Sequence, residues 1–283
     1  MSTTIKRAFL VGINYRGSEC ELGGCINDVL VMKDLLIKRY GYNEKNILLI
    51  SDDTEIKPTA ANILEGWKWL LSKSPAKTFN KSYIPMNDNE KVNFFFHYSG
   101  HGSQVKDTNK DESDGRDETI CPIDFMTAGM ITDDVIREKL AVKVPANGRL
   151  TAVIDACHSE SSFDLLWTVK VNTFDSILNR IFGKNFGGFS LVKTGTYAPT
   201  IGNVIMLSGC RDDQTSADIQ INGKGNGALT FALIKVLDQA NYDITCDELL
   251  TNIRNYIKEN NLSDQVPCLS FGRSADISNK FIL

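Results

Sequence analysis

Apolar and polar positions along this chain follow two rhythms in turn. Short apolar runs, rich in β-branched and aromatic residues, recur at 7–13, 46–51, 92–97, 150–155, 204–208 and 267–271. They predict strands buried on both faces. Between them lie segments with helical spacing. In 26–40 the apolar positions Val29, Leu30, Met32, Leu35 and Leu36 keep a helical period until Gly41 stops it. Pro58 and Thr59 open a second helix to about residue 71. Thr132 is placed to cap a short helix whose first turn carries Asp133 and Asp134, where carboxylates meet the positive helix end. A helix is expected over 227–237, and another behind the capping-box sequence Thr245-Cys246-Asp247-Glu248, to about 258. The polar stretch 74–90 reads as a loop, and 99–120 is long, charged and glycine-punctuated, with an acidic loop at 107–118. The segment 168–200, with four glycines and no period, reads as an irregular linker.

Strands alternating with helices predict an α/β fold: a mostly parallel central sheet with helices on both faces. In such sheets ligands sit at the carboxyl ends of strands. Two strand ends carry reactive side chains, in His97-Tyr98-Ser99-Gly100-His101-Gly102 and in Asp155-Ala156-Cys157-His158.

Composition narrows the function. With 42% hydrophobic and 23% charged residues the chain is an ordinary globular one. A net charge of −4 argues against nucleic acid or an anionic membrane as partner. No run of 18 apolar residues is present, so no membrane span is expected. The seven cysteines are scattered, odd in number and form no CxxC pair, which favours a reduced protein without a zinc knuckle. The first residues run into a strand with no apolar leader, so a cytoplasmic location is expected.

A cysteine attacks as thiolate and needs a base beside it. The chain has three histidines. His158 neighbours Cys157 and points away from it on extended chain. His97 ends an apolar strand, where packing is the commoner role. His101 stands between Gly100 and Gly102, which let the backbone approach a substrate. The Gly102 and Cys157 N–H groups are candidates for an oxyanion hole. By spacing alone, a His101/Cys157 dyad and an inert buried Cys157 stay equally open. Metal binding by His97 and His101 lacks a third ligand. Ser99 is not in a GxSxG setting.

At these residues the chain resembles a type I metacaspase over 6–240. The resemblance is carried by Arg7-Ala-Phe-Leu-Val-Gly-Ile-Asn-Tyr15, Gly24-Cys-Ile-Asn-Asp28, Phe96-His-Tyr-Ser-Gly-His-Gly102, Asp155-Ala-Cys-His-Ser159 and Ser208-Gly-Cys-Arg-Asp-Asp-Gln-Thr-Ser-Ala-Asp218. It implies a caspase-like sandwich, with a large catalytic segment at 1–167, the linker at 168–200 and a small segment at 201–283. It implies Cys157 as nucleophile and His101 as base of a cysteine endopeptidase. Its pattern places a substrate pocket at Cys25, Asp28, Ser99, Asp155 and Asp164. Carboxylates there would select Arg or Lys before the cut. Asp117, Asp133 and Asp134 match the family's calcium-binding aspartates, hard oxygen donors suited to Ca²⁺ as activator. Lys170, Arg180, Lys184 and Lys193 become possible self-cleavage points, and a monomer is expected. The Pro/Gln-rich N-terminal extension of many type I members is not seen. Two departures stand out: Glu160 where the family has Gly, and Leu166 where it has Pro. The alternative they leave is a catalytically weak caspase-fold protein acting through partner binding.

Overall fold

The computed structural model describes residues 4–72, 79, 90–108, 115–157, 162–171, 188–209, 218–221 and 224–283. Its centre is an eight-stranded sheet. In chain order the strands of this sheet are β1 (Ile5–Gly12), β2 (Ile47–Ser51), β3 (Val92–Ser99), β7 (Gly148–Asp155), β8 (Trp167–Val171), β9 (Phe189–Lys193), β10 (Asn203–Ser208) and β13 (Cys268–Phe271). Across the sheet they run β2-β1-β3-β7-β10-β13-β8-β9. The first five are mutually parallel, and β13, β8 and β9 add antiparallel neighbours. All six apolar runs read from the sequence are strands of this sheet.

Side chains alternate across the strands and make two cores. Phe94 and Phe96 face one side, with α2 (Ala60–Leu71) and α4 (Asp133–Lys139). Phe95 faces the other, with α1 (Cys25–Lys38), α5 (Ala228–Gln239) and α6 (Cys246–Glu259). Helix ends follow the sequence signals. Thr59 accepts the Asn62 N–H, the Thr245/Glu248 capping box is formed, and Gly41 takes a positive φ of 67° just past α1. Thr132 sits at the cap of α4, but its side chain makes no cap bond; Asp133 Oδ1 accepts the Asp134 N–H instead. The wholly buried Arg7 closes α2, its Nη1 donating to the carbonyls of Trp69, Leu70 and Ser72. Among the described residues no helix is long and apolar enough to cross a membrane.

Two segments differ from the sequence expectation. The charged stretch 99–120, read without strands, contains β4 (Gly102–Lys106) and β5 (Arg116–Ile120), which pair with each other, β5 also pairing with β6 (Ile131–Thr132) in a small antiparallel sheet. The segment 168–200, read as irregular, contributes β8 and β9, which pair from Trp167↔Lys193 to Val171↔Phe189. The expected helix at 227–237 is α5, and ahead of it β11 (Asp218–Ile221) and β12 (Lys224–Gly227) form a hairpin. A four-residue helix, α3 (Phe125–Ala128), precedes β6.

Candidate active site

Chain order along the sheet reverses between β1 and β3, because β1 continues to β2 on one side and β2 to β3 on the other. That reversal opens a crevice at the carboxyl ends of these strands. Gly12, Ser99 and Asp155 are register partners there, at the ends of β1, β3 and β7. The chain leaving β3 stays against the chain leaving β7. The Gly100 N–H donates to the Asp155 carbonyl at 3.3 Å. A Cβ on Gly102 would stand 2.0 Å from the Cys157 carbonyl oxygen and 3.2 Å from Ala156 Cβ. Only a residue without a side chain permits this approach. The loops carrying His101 and Cys157, both half-buried, therefore meet backbone to backbone. His158 and Glu160 lie outside the described residues.

His101 is held at its ring and its backbone. Nε2 lies 2.7 Å from the Cys20 carbonyl oxygen. A carbonyl only accepts, so Nε2 carries hydrogen and Nδ1 is the nitrogen left to take a proton. The His101 N–H donates to Tyr15 Oη at 3.0 Å. Its carbonyl accepts from Tyr98 Oη at 2.8 Å and from the Cys121 N–H at 3.1 Å. Burial pushes both phenols well above their usual range, so they stay protonated. Burial likewise pushes the nearby Cys121 thiol up to about 12, with Cys20 and Cys157 adding to the effect. Cys121 stays a thiol at neutral pH and is no rival nucleophile.

On the opposite face of the sheet three of the matched pocket residues converge. Asp28, in the first turn of α1, accepts from Ser99 Oγ at 2.8 Å. It also accepts from the Gly227 N–H at 3.0 and 2.9 Å. Asp155 Oδ2 accepts the Thr230 N–H at 2.8 Å. Gly227 caps α5 and Thr230 is its third residue, so the positive end of that helix faces both carboxylates. A Cβ on Gly227 would meet Asp155 Oδ2 at 2.2 Å and Asp28 Oδ2 at 2.7 Å, so the two side chains close on one backbone point. Both are almost wholly buried.

His97 underpins this cluster. It is fully buried, with Nε2 at 3.1 Å from Thr230 Oγ1 and no hydrogen-bond partner at Nδ1. Burial pushes its pKa down to about 3. The folded protein keeps His97 neutral, whereas the unfolded chain protonates it below about 6.5. The unfolded state then binds the extra proton, so stability falls as pH drops from about 6.5 towards about 3. In melts between pH 7 and 4, stability should fall faster in the wild type than in His97→Met, by about 1.4 kcal/mol per pH unit, the one-proton limit. Equal slopes would disprove this.

The remaining sequence candidates lie around this centre. Cys25 is buried at the start of α1, its carbonyl against Gly12. Asp164 has a positive φ of 46° and stands beside Arg137, whose Nη1 donates to the Asp164 carbonyl at 2.7 Å. It is thus tied to α4, whereas Asp28 and Asp155 meet at α5. Leu166 is buried. Asp117, Glu118 and Asp133 are buried near one another, and the Asp133 carboxylate accepts the N–H groups of Glu118 and Asp134, each at 2.8 Å. Burial, with Glu118 and Asp117 adding, pushes Asp133 up to about 9. The oxygen donors suit a hard cation, and a cation would relieve their crowding. Even so, among the described residues no three His, Cys, Asp or Glu side chains converge as a ready metal site. Lys170 and Lys193 are exposed strand residues in β8 and β9; Arg180 and Lys184 lie outside the described residues. A cavity of about 600 Å³ at α6, β9 and the 261–266 loop holds neither His101 nor Cys157.

Sequence reasoning missed Tyr15, Tyr98, the Cys20 carbonyl, Gly227 and Thr230. Tyr15 stood inside a quoted motif, but no spacing rule gives an aromatic residue before a loop a role. A backbone carbonyl has no sequence signal at all.

Residues 6–166 match the family model described as metacaspase, peptidase C14 domain. Metacaspase-1 of Schizosaccharomyces pombe is 36% identical over 313 residues, covering 98% of this chain and 70% of that protein. Metacaspase-1 of Eremothecium gossypii is 35% identical, with 98% and 66% covered. Metacaspase-1A of Neurospora crassa is 33% identical, with 98% and 65% covered. The chain thus spans about two thirds of the length of these curated relatives. A crystal structure of a Geobacter sulfurreducens protein shares the fold, with a TM-score of 0.62 at 23% identity over 98% of this chain and 97% of that one.

Proposed function

Because this chain belongs to the metacaspase family of C14 cysteine-type peptidases, we propose that it is an endopeptidase cutting after Arg or Lys, with Cys157 as nucleophile and His101 as base. The observation that carries this is the close backbone approach of Gly102 to Cys157, with two buried carboxylates gathered at the N-terminus of α5. His101 Nδ1 takes the Cys157 thiol proton, and the Cys20 carbonyl holds the opposite ring nitrogen. The thiolate attacks the scissile carbonyl carbon. The N–H groups of Gly102 and Cys157 hold the resulting oxyanion. Collapse expels the amine, which takes the proton from His101 and leaves a thioester on Cys157. His101 then takes a proton from water as the oxygen adds to the thioester carbonyl, and collapse breaks the C–S bond, releasing the acid and returning the proton from His101 to the Cys157 sulfur. Meanwhile Asp28 and Asp155 pair with the substrate's guanidinium or ammonium. An Arg-chloromethylketone should label one site per chain, and none in Cys157→Ala. A wild type that takes no label would favour the partner-binding reading.

Ca²⁺ is the proposed activator, held by Asp117, Asp133 and Asp134. The support is the crowding of acidic groups around Asp133, which a divalent cation would neutralise. When bound, it would draw β5 and the start of α4 together. The expected result is a higher melting temperature in millimolar Ca²⁺ than in excess chelator, and faster labelling. Identical melts and rates in both would end this part of the reading.

Self-cleavage is proposed at Lys170, Arg180, Lys184 or Lys193. Lys170 and Lys193 are paired in β8 and β9, so a cut at either would require those strands to part. Mass spectrometry of fragments formed in Ca²⁺ checks this; the same fragments from Cys157→Ala would count against it.

A further inference from the structure

We propose that Tyr15 is a positioning residue for the base, holding the His101 imidazole in its reactive orientation; this rests on the reading of His101 as that base. Three independent contacts converge on it. The Tyr15 ring lies against the imidazole, centroids 4.8 Å apart and planes 39° from parallel. Its hydroxyl accepts the His101 N–H at 3.0 Å and donates to the Cys121 carbonyl at 2.6 Å. Tyr98 Oη lies 3.0 Å from Tyr15 Oη and donates to the His101 carbonyl at 2.8 Å. One residue thus fixes both the plane of the ring and the chain that carries it.

The backbone of Tyr15 adds to this. It sits at φ 52°, in the left-handed region. For a bulky aromatic residue that conformation is strained and persists only where its surroundings demand it. The turn it makes is closed at once, by Ser18 N–H and Ser18 Oγ on the Tyr15 carbonyl at 3.1 and 2.6 Å, and by Leu22 N–H on the Asn14 carbonyl at 2.8 Å. That turn delivers the Cys20 carbonyl to His101 Nε2. The loop after β1 therefore grips the imidazole twice, through the Tyr15 ring on its face and through Cys20 at its edge. A relaxed residue 15 would lose both holds together. No acidic side chain is needed to orient the base if the loop does so.

The test uses the full chain and an Arg-chloromethylketone, with rates taken per chain finally labelled so that unfolded protein does not count. Tyr15→Phe keeps the ring and loses the hydroxyl. It should still label to one per chain with an unchanged half-saturating concentration, while the maximal rate falls about tenfold, the worth of one hydrogen bond. Its rate–pH profile should also move, since the imidazole is no longer held in one orientation. Tyr15→Leu, which loses the ring as well, should be slower still by a further tenfold or so. A purely structural Tyr15 would lower the melting temperature but leave the maximal rate per labelled chain within twofold and the pH profile in place. That result overturns the proposal. A wild-type chain that takes no label instead overturns the peptidase reading beneath it.

Discussion

A Gly102→Ala protein is expected to lose two to three orders of magnitude in kcat. The added Cβ would stand 2.0 Å from the carbonyl oxygen of Cys157, a backbone atom that no rotamer can move aside. Relief requires the loops after β3 and β7 to part by an ångström or more. That displacement moves the proposed oxyanion donors and parts the loops that carry His101 and Cys157. Misplacing reacting groups by about 1 Å costs about a hundredfold, and losing one oxyanion donor costs about 10²–10³. The stability cost of such overpacking is smaller, about 1–3 kcal/mol. The protein should therefore remain folded in a thermal melt while turnover of an Arg-terminated fluorogenic peptide collapses. Turnover within fivefold of the wild type would mean that the contact between these loops does not govern the chemistry.

Asp155→Asn and Asp28→Asn should each lower kcat/KM for an Arg substrate by about two to three orders of magnitude. Asn keeps an oxygen to accept from Thr230 N–H or Gly227 N–H, so the local bonding survives while one charge goes. Removing one partner from a buried ion pair costs about 3–5 kcal/mol, because the other charge is left uncompensated. Citrulline has the shape of arginine without its charge, so a citrulline-terminated substrate should be almost indifferent to these changes. Comparing the two substrates in each variant isolates the charge term. Because both carboxylates close on Gly227, the double variant should fall short of the product of the two single effects. An Arg-to-citrulline preference unchanged within threefold would remove Asp28 and Asp155 from the specificity pocket.

The central sheet was legible because strands buried on both faces must be apolar at nearly every position, as in Phe94-Phe95-Phe96. The helix starts at Thr59 and Thr245 were legible because a cap needs a side-chain oxygen at a set distance from the amides it satisfies. Strands β4 and β5 were hidden because Gly102-Ser-Gln-Val-Lys106 and Arg116-Asp-Glu-Thr-Ile120 are mostly polar and owe their form to pairing with each other, β5 being buried beyond Arg116 all the same. The edge pair β8 and β9 was hidden because each strand is only five residues long and pairs with the other at the sheet edge beyond β13.

The sequence by itself determined which chemistry is available. His101 flanked by glycines, Cys157 at a strand end and acidic residues in the matched pocket positions are all properties of residue type and order. Tertiary structure alone decided which of them lie together. Register brought Gly12, Ser99 and Asp155 level, and the N-terminus of α5 joined Asp155 to Asp28, 127 residues apart in the chain, while Asp164 went to Arg137. It also set a strained tyrosine and a backbone carbonyl around His101. Residue types can be read one at a time, but proximity between distant segments follows only when the whole sheet has paired and packed.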